Sequence, residues 1–230
     1  MQTYTEFRFD QWVQRAREFT EGLPKRVAGE VQAEAKIEPP LAASAVDSLR
    51  GQLGIPILAA LQRFFTTGSA GLDFRYRWTP TGSQAEAIKS IYRAKSYIWG
   101  GGEFCQASAL VEWFKDCQEL AADPDYWLAE YPDDLAFWKQ SLPIFRMRSG
   151  DYLALDGREP SDDPAVVYLS HDDESKVIAS SFTEFLAEWE RLYYIGPDSS
   201  LLDEYSDDDG LLSAENEKAQ ILRGAFGDAA

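Results

Sequence analysis

Residues 142–194, LPIFRMRSGDYLALDGREPSDDPAVVYLSHDDESKVIASSFTEFLAEWERLYY, decide the fold. Ile144–Arg148 and Tyr152–Asp156 are two apolar-rich runs joined through Ser149-Gly150, which predicts a hairpin. Ala165–Ser170 is β-branched and apolar, with Pro164 before it, and reads as the next strand. The polar turn His171-Asp172-Asp173-Glu174 leads to a short strand at Lys176–Ala179. Ser181-Phe182-Thr183-Glu184 then caps a helix whose buried side carries Phe182, Phe185, Leu186, Trp189, Leu192 and Tyr193. Consecutive strands closed by a helix make a meander, so the fold class is α+β, mainly antiparallel, flanked by helices.

Working back toward the N-terminus, Pro132-Asp133-Asp134 opens a short helix carrying Phe137 and Trp138. Ala109, Leu110, Trp113, Phe114, Cys117 and Leu120 form one face of an amphipathic helix. Tyr97-Ile98-Trp99 reads as a strand running into Gly100-Gly101-Gly102, and a helix starts near Ser83. Leu72–Trp78 alternates large apolar with polar groups, as a half-buried strand does. Before it, Ser44-Ala45-Val46-Asp47 offers a capping box, Gly54 ends that helix, and Pro56 suits the first turn of the next. Phe9, Trp12, Val13, Ala16 and Phe19 share a helical stripe. The charged stretch after them, up to Pro39-Pro40, is expected to lead into the domain without joining its core. At the other end, 198–210 reads as an acidic linker, with a short amphipathic helix over Ser213–Gly224. The expected organisation is an N-terminal helical extension (1–39), the domain (40–196), and an acidic linker with a C-terminal helix (197–230).

Charge is distributed unevenly. Residues 1–115 carry 14 Lys and Arg against 12 Asp and Glu, a net of +2. Residues 116–230 carry 8 against 27, a net of −19, which accounts for the chain's −17. Such a field repels phosphate backbones and anionic membrane surfaces, so neither nucleic acid nor membrane is expected as a partner. It attracts a basic protein and speeds the encounter. The start, MQTYTEFRFDQW, lacks the apolar core of a secretory signal, and two cysteines make no disulfide framework; a cytoplasmic location is expected.

The ordered pieces Leu142-Pro143-Ile144, Gly150–Asp156, Pro164–Asp172 and Ala179–Leu186, with Leu53-Gly54-Ile55-Pro56 upstream, resemble the SUKH superfamily over about residues 40–196. This group includes fungal Smi/Knr-type cell-wall regulators and bacterial toxin-immunity proteins. The chain departs from the family pattern at Ile57 and Leu58, where polar residues are usual, and at Gly68-Ser69-Ala70-Gly71 in place of an Asn-Gly-Gly-like turn. The resemblance implies a binding role. It points first to an immunity protein that neutralises a toxin, often a nuclease in this group, and second to a regulatory or scaffolding module.

His171 is the one histidine, and neither Cys105 nor Cys117 lies in a nucleophile motif, so a catalytic Ser or Cys is not expected. No converging ligand set points to a metal, and no cofactor is expected. Gly100-Gly101-Gly102 follows a strand but is succeeded by Glu103 with no Lys-Ser/Thr, so close backbone approach explains it better than a phosphate loop. A small hydrolase using paired carboxylates is the third reading. The residues assigned to partner binding are the acidic turns Asp162, Asp163, Asp172, Asp173 and Glu174, as an anionic surface for a cationic partner. Trp78 and Trp99 are assigned to the core.

Overall fold

The computed structural model describes residues 7–92, 96–122, 134–197 and 203–227. In order these contain α1 (Phe9–Arg26), β1 (Gly29–Ile37), α2 (Ala43–Leu53), α3 (Ala59–Arg63), β2 (Leu72–Pro80), α4 (Gly82–Ile91) and β3 (Ile98–Phe104). There follow α5 (Leu110–Ala122), α6 (Asp134–Gln140), β4 (Leu142–Arg146), β5 (Tyr152–Leu155), β6 (Val166–Leu169), β7 (Lys176–Ala179), α7 (Phe182–Arg191) and α8 (Glu217–Phe226). The seven strands form one sheet in chain order, every neighbouring pair antiparallel. The expected α+β meander with helical parts at both ends is the observed fold. Among the described residues no helix is long and apolar enough to cross a membrane.

The sheet has two halves that meet at Phe104 opposite Phe145. In the first half, β2 turns Leu72, Phe74, Tyr76 and Trp78 into the core and leaves Asp73, Arg75 and Arg77 on the outer face, the alternation of a one-sided sheet. In the second half, β5 and β6 are buried throughout. Leu153, Leu155, Val166 and Tyr168 join the main core, while Tyr152, Ala154, Val167 and Leu169 face α5 and α6 through Trp113, Cys117 and Trp138. Two covered faces explain why Ala165–Ser170 reads as a continuous apolar run.

Three local expectations are corrected. Residues 20–37 are structure, not lead-in: α1 runs on through Pro24 to Arg26, and β1 pairs with the whole of β2 from Gly29 opposite Pro80 to Ile37 opposite Leu72. Burial of Leu23 carries the helix past the point where a proline would ordinarily end it. No capping box opens α2; its N-cap is Ala42, without a side-chain bond. Finally, α3 begins at Ala59, three residues beyond Pro56. Gly54 does end α2, in the left-handed conformation with its N–H on the Arg50 carbonyl.

The first and last described helices both pack on the sheet. Trp12 of α1 is fully buried against Phe104, Trp189 and Tyr194, and its indole N–H donates to the Leu186 carbonyl at 3.0 Å. α8, capped by Asn216 accepting from Ala219 N–H, buries Leu222 and Phe226, and Phe226 stacks on Tyr193 with centroids 4.3 Å apart. Within the segment read as a linker, Tyr205 is fully buried and its hydroxyl meets that of Tyr92.

Candidate functional site

The β6–β7 turn presents Asp172, Asp173 and Glu174 to solvent, with the Asp172 side chain 79% exposed. An exposed turn of three carboxylates would ordinarily be a loose feature. This one is tied down from below by Asp151, which follows the Arg148-Ser149-Gly150 turn between β4 and β5. Asp151 Oδ1 accepts from the His171 backbone N–H at 3.0 Å and lies 2.6 Å from His171 Nδ1. Its other oxygen accepts from Tyr168 Oη and from Ser149 Oγ, each at 2.7 Å. One buried carboxylate thus joins two neighbouring turns of the sheet.

The turn's own backbone is also satisfied. Asp173 N–H donates to Ser170 Oγ at 3.1 Å, Glu174 N–H to Asp173 Oδ1 at 2.8 Å, and Ser170 N–H to Ser175 Oγ at 3.3 Å. Ser175 N–H reaches Asp134 Oδ2, at the start of α6, at 2.8 Å. These bonds replace a strand ladder with side-chain acceptors, as Asx and Ser turns do. The outer nitrogen of His171 lies 3.0 Å from Asp172 Oδ2, so the imidazole is held between two carboxylates, one buried and one exposed. Burial alone would raise the Asp151 carboxyl, but the bonds from Tyr168, His171 and Ser149 outweigh it and hold the group below the usual carboxylate range.

The five acidic residues expected at the site lie in two separate turns. Asp162 and Asp163 sit in the β5–β6 loop and Asp172–Glu174 in the β6–β7 turn, at opposite ends of β6. Four strand residues separate those ends by roughly 13 Å. Their roles differ as well. Asp163 accepts from both the backbone N–H and the hydroxyl of Thr183, in the first turn of α7, beside Ser181 Oγ, which accepts from Glu184 N–H at 3.1 Å. A carboxylate there satisfies an otherwise unpaired helix donor and complements the helix dipole. Asp162 is exposed, and its backbone carbonyl accepts from Arg63 at 3.1 Å. The exposed acids are therefore Asp172, Asp173 and Glu174 in one turn and Asp162 in the other.

Sequence reasoning passed over Asp151, Ser149 and Tyr168 as functional supports. The signal available was the Gly150-Asp151 turn, but its partners lie 17 and 20 residues away across the sheet. The remaining candidates fall into the interior. Cys105 and Cys117 are free and buried, and burial pushes both thiols up, away from the reactive thiolate form. Trp78 is fully buried, whereas Trp99 is half-buried against the core edge. The glycine triplet lies inside β3, where a Cβ on Gly100 would collide with the Tyr194 carbonyl and one on Gly102 with the Phe145 ring. Close backbone approach is thus its structural role.

Residues 40–188 match the model of the SMI1 / KNR4 family (SUKH-1). Comparison with curated proteins found no match.

Proposed function

This chain belongs to the SMI1 / KNR4 family (SUKH-1), and from that premise we propose that it works by binding another protein, as an immunity protein that occludes a basic toxin. Family membership supports an interaction module. The observation that favours a cationic partner is the Asp172-Asp173-Glu174 turn, whose exposed carboxylates stand on a backbone fixed by Asp151. A preordered acidic turn loses little freedom on binding, so more of its attraction to a cationic cleft survives as affinity. The net −19 over residues 116–230 steers such a partner in from a distance. A nuclease, whose cleft is built to take phosphates, is the partner chemistry that fits best. The proposed setting is the cytoplasm.

A hydrolase would need two carboxyl groups free to face a substrate. The cleft between α1, α7 and α8 does hold Glu18 and Glu190 beside Tyr193 and Tyr194. Both oxygens of Glu190, however, are taken by the Arg15 guanidinium at 2.5 and 2.9 Å, and Glu18 accepts from Gln14 at 2.8 Å. That engagement favours a structural role for the two acids over acid–base work.

The test is co-purification from native lysate, followed by kinetics on the captured protein. A basic toxin should be recovered, and its association should slow as salt rises toward physiological strength. The Asp172→Lys/Asp173→Lys/Glu174→Lys variant should associate at least about tenfold more slowly while its melting temperature stays nearly unchanged. Unaltered association in that variant would remove this turn from the interface. Recovery of a signalling or cell-envelope regulator instead of a toxin would assign the chain to the scaffolding branch.

A further inference from the structure

In a chain of net charge −17, one cleft gathers four arginines. A cleft of about 460 Å³ lies between α1, the end of α7, the turn at 193–194 and α8. Arg15 and Arg26 line it from α1, Arg191 from α7 and Arg223 from α8. Glu18 and Glu190 share that lining, and Glu188 and Glu215 reach Arg191 from beside it. Arg15 is committed to Glu190, and Arg191 to Glu188 and Glu215. Among the described residues, Arg26 and Arg223 are in no ion pair; Arg223 makes one long bond, 3.4 Å, to the Ala214 carbonyl.

The cleft also contains an unsatisfied group. Tyr194 is 1% exposed, and its hydroxyl is buried without a hydrogen-bond partner. Native proteins seldom leave such a donor unpaired, because the lost solvation is not recovered. Tyr194 lines the cleft together with Glu190 and Arg15, which are paired with each other. The backbone is specially formed to hold it there. Tyr193 and Tyr194 are consecutive non-glycine residues in the left-handed region, φ +55° and +53°. Their turn is fixed by Tyr194 N–H on the Trp189 carbonyl at 2.8 Å, Gly101 N–H on the Tyr194 carbonyl at 2.7 Å, and Tyr76 Oη on the Tyr193 carbonyl at 2.9 Å.

We propose that this cleft is a binding site for a small, soluble, phosphate-bearing molecule, held by the guanidinium groups of Arg26 and Arg223 with the Tyr194 hydroxyl as a third donor. The guanidinium fork matches phosphate oxygens in pairs. The volume lies within the range of small-molecule sites, roughly 300–1,000 Å³, which favours a compact ligand over an acidic peptide chain. The molecule's negative field opposes approach to an anionic bilayer, which favours a soluble phosphate over a lipid headgroup. The site is independent of the acidic turn and of any toxin.

The test is calorimetric titration of the full chain with inorganic pyrophosphate at low ionic strength, with phosphoinositide vesicles and a polyglutamate peptide as parallel arms. Saturable one-to-one binding of pyrophosphate is expected, with a dissociation constant below about 1 mM. Arg26→Ala/Arg223→Ala should weaken it about tenfold or more, and Arg50→Ala, on the exposed face of α2, should not. Tyr194→Phe should weaken binding several-fold without lowering the melting temperature, because the lost hydroxyl has no partner in the free protein. Should the double variant unfold, Arg26→Ala alone, at the exposed end of α1, reads the same effect. Absence of saturable heat at millimolar pyrophosphate, equal affinity in the arginine variants, or binding confined to the vesicles or the peptide would each overturn the proposal.

Discussion

Asp151 and Asp163 are acids whose value lies inside the molecule. The Asp151 carboxyl is held below its ordinary value in the folded chain, so the folded state binds its proton less readily than the unfolded state does. Its stabilisation is therefore fully present above about pH 4 and is lost as pH falls through the depressed folded value. Asp151→Asn should lower unfolding stability at pH 7 by about 2 kcal/mol, the cost of losing a charged acceptor of several bonds. The deficit should shrink in denaturation curves taken near pH 3, and an equal deficit at both pH values would refute the linkage. Asp163→Ala should cost about 1–2 kcal/mol through the lost contacts with the first turn of α7. Asp172→Ala should stay within roughly 0.5 kcal/mol in the same urea titration. In the sequence Asp163 and Asp172 look alike, each beside another aspartate. What separates them is Thr183 for one and open solvent for the other, and neither neighbour is encoded locally.

Among the elements, β3 makes the sharpest demand on its residues. Gly101 adopts φ +68°, and a Cβ there would collide with the Phe74 carbonyl of the paired strand. Gly101→Ala should lose at least about 2–3 kcal/mol, from strain and a disturbed ladder together. Gly51 is the contrast: it lies within α2, with nothing within 4 Å of an added Cβ. Gly51→Ala should gain about 0.5–1 kcal/mol, measured by the shift in denaturation midpoint. The second half of the sheet was readable because β4–β7 follow one another directly, with five to ten residues between the end of each strand and the start of its partner. β1 was not. Its inward side is Val31, Ala33, Ala35 and Ile37, too small to mark a strand strongly, and its partner β2 is separated from it by two helices. The α7 cap at Ser181 was legible because Ser and Glu three apart state it locally; the opening of α2 misled because Ser44 lies inside the helix that Ala42 begins.

At the scale of the whole molecule, composition alone carried the acidity of residues 116–230, and structure sorted those charges into ties, caps and an exposed turn. The family match begins at residue 40, yet α1 and β1 lie before it and complete the core. The arginine cleft was illegible in the chain because its walls come from residues 15–26, 190–194 and 223, and no window of sequence contains all of them. The bond from Trp12 to the Leu186 carbonyl has a consequence for synthesis. The two residues are 174 positions apart, although every strand of the sheet can pair as it emerges. At 5–20 residues per second, Trp12 waits roughly 10 to 35 s on the ribosome for Trp189 and Tyr194, while Phe64, Phe74 and Phe104 reach it earlier. A chaperone has that interval in which to engage the nascent chain, and a chain cut short before residue 182 leaves Trp12 without its α7 side, a ready mark for proteolysis.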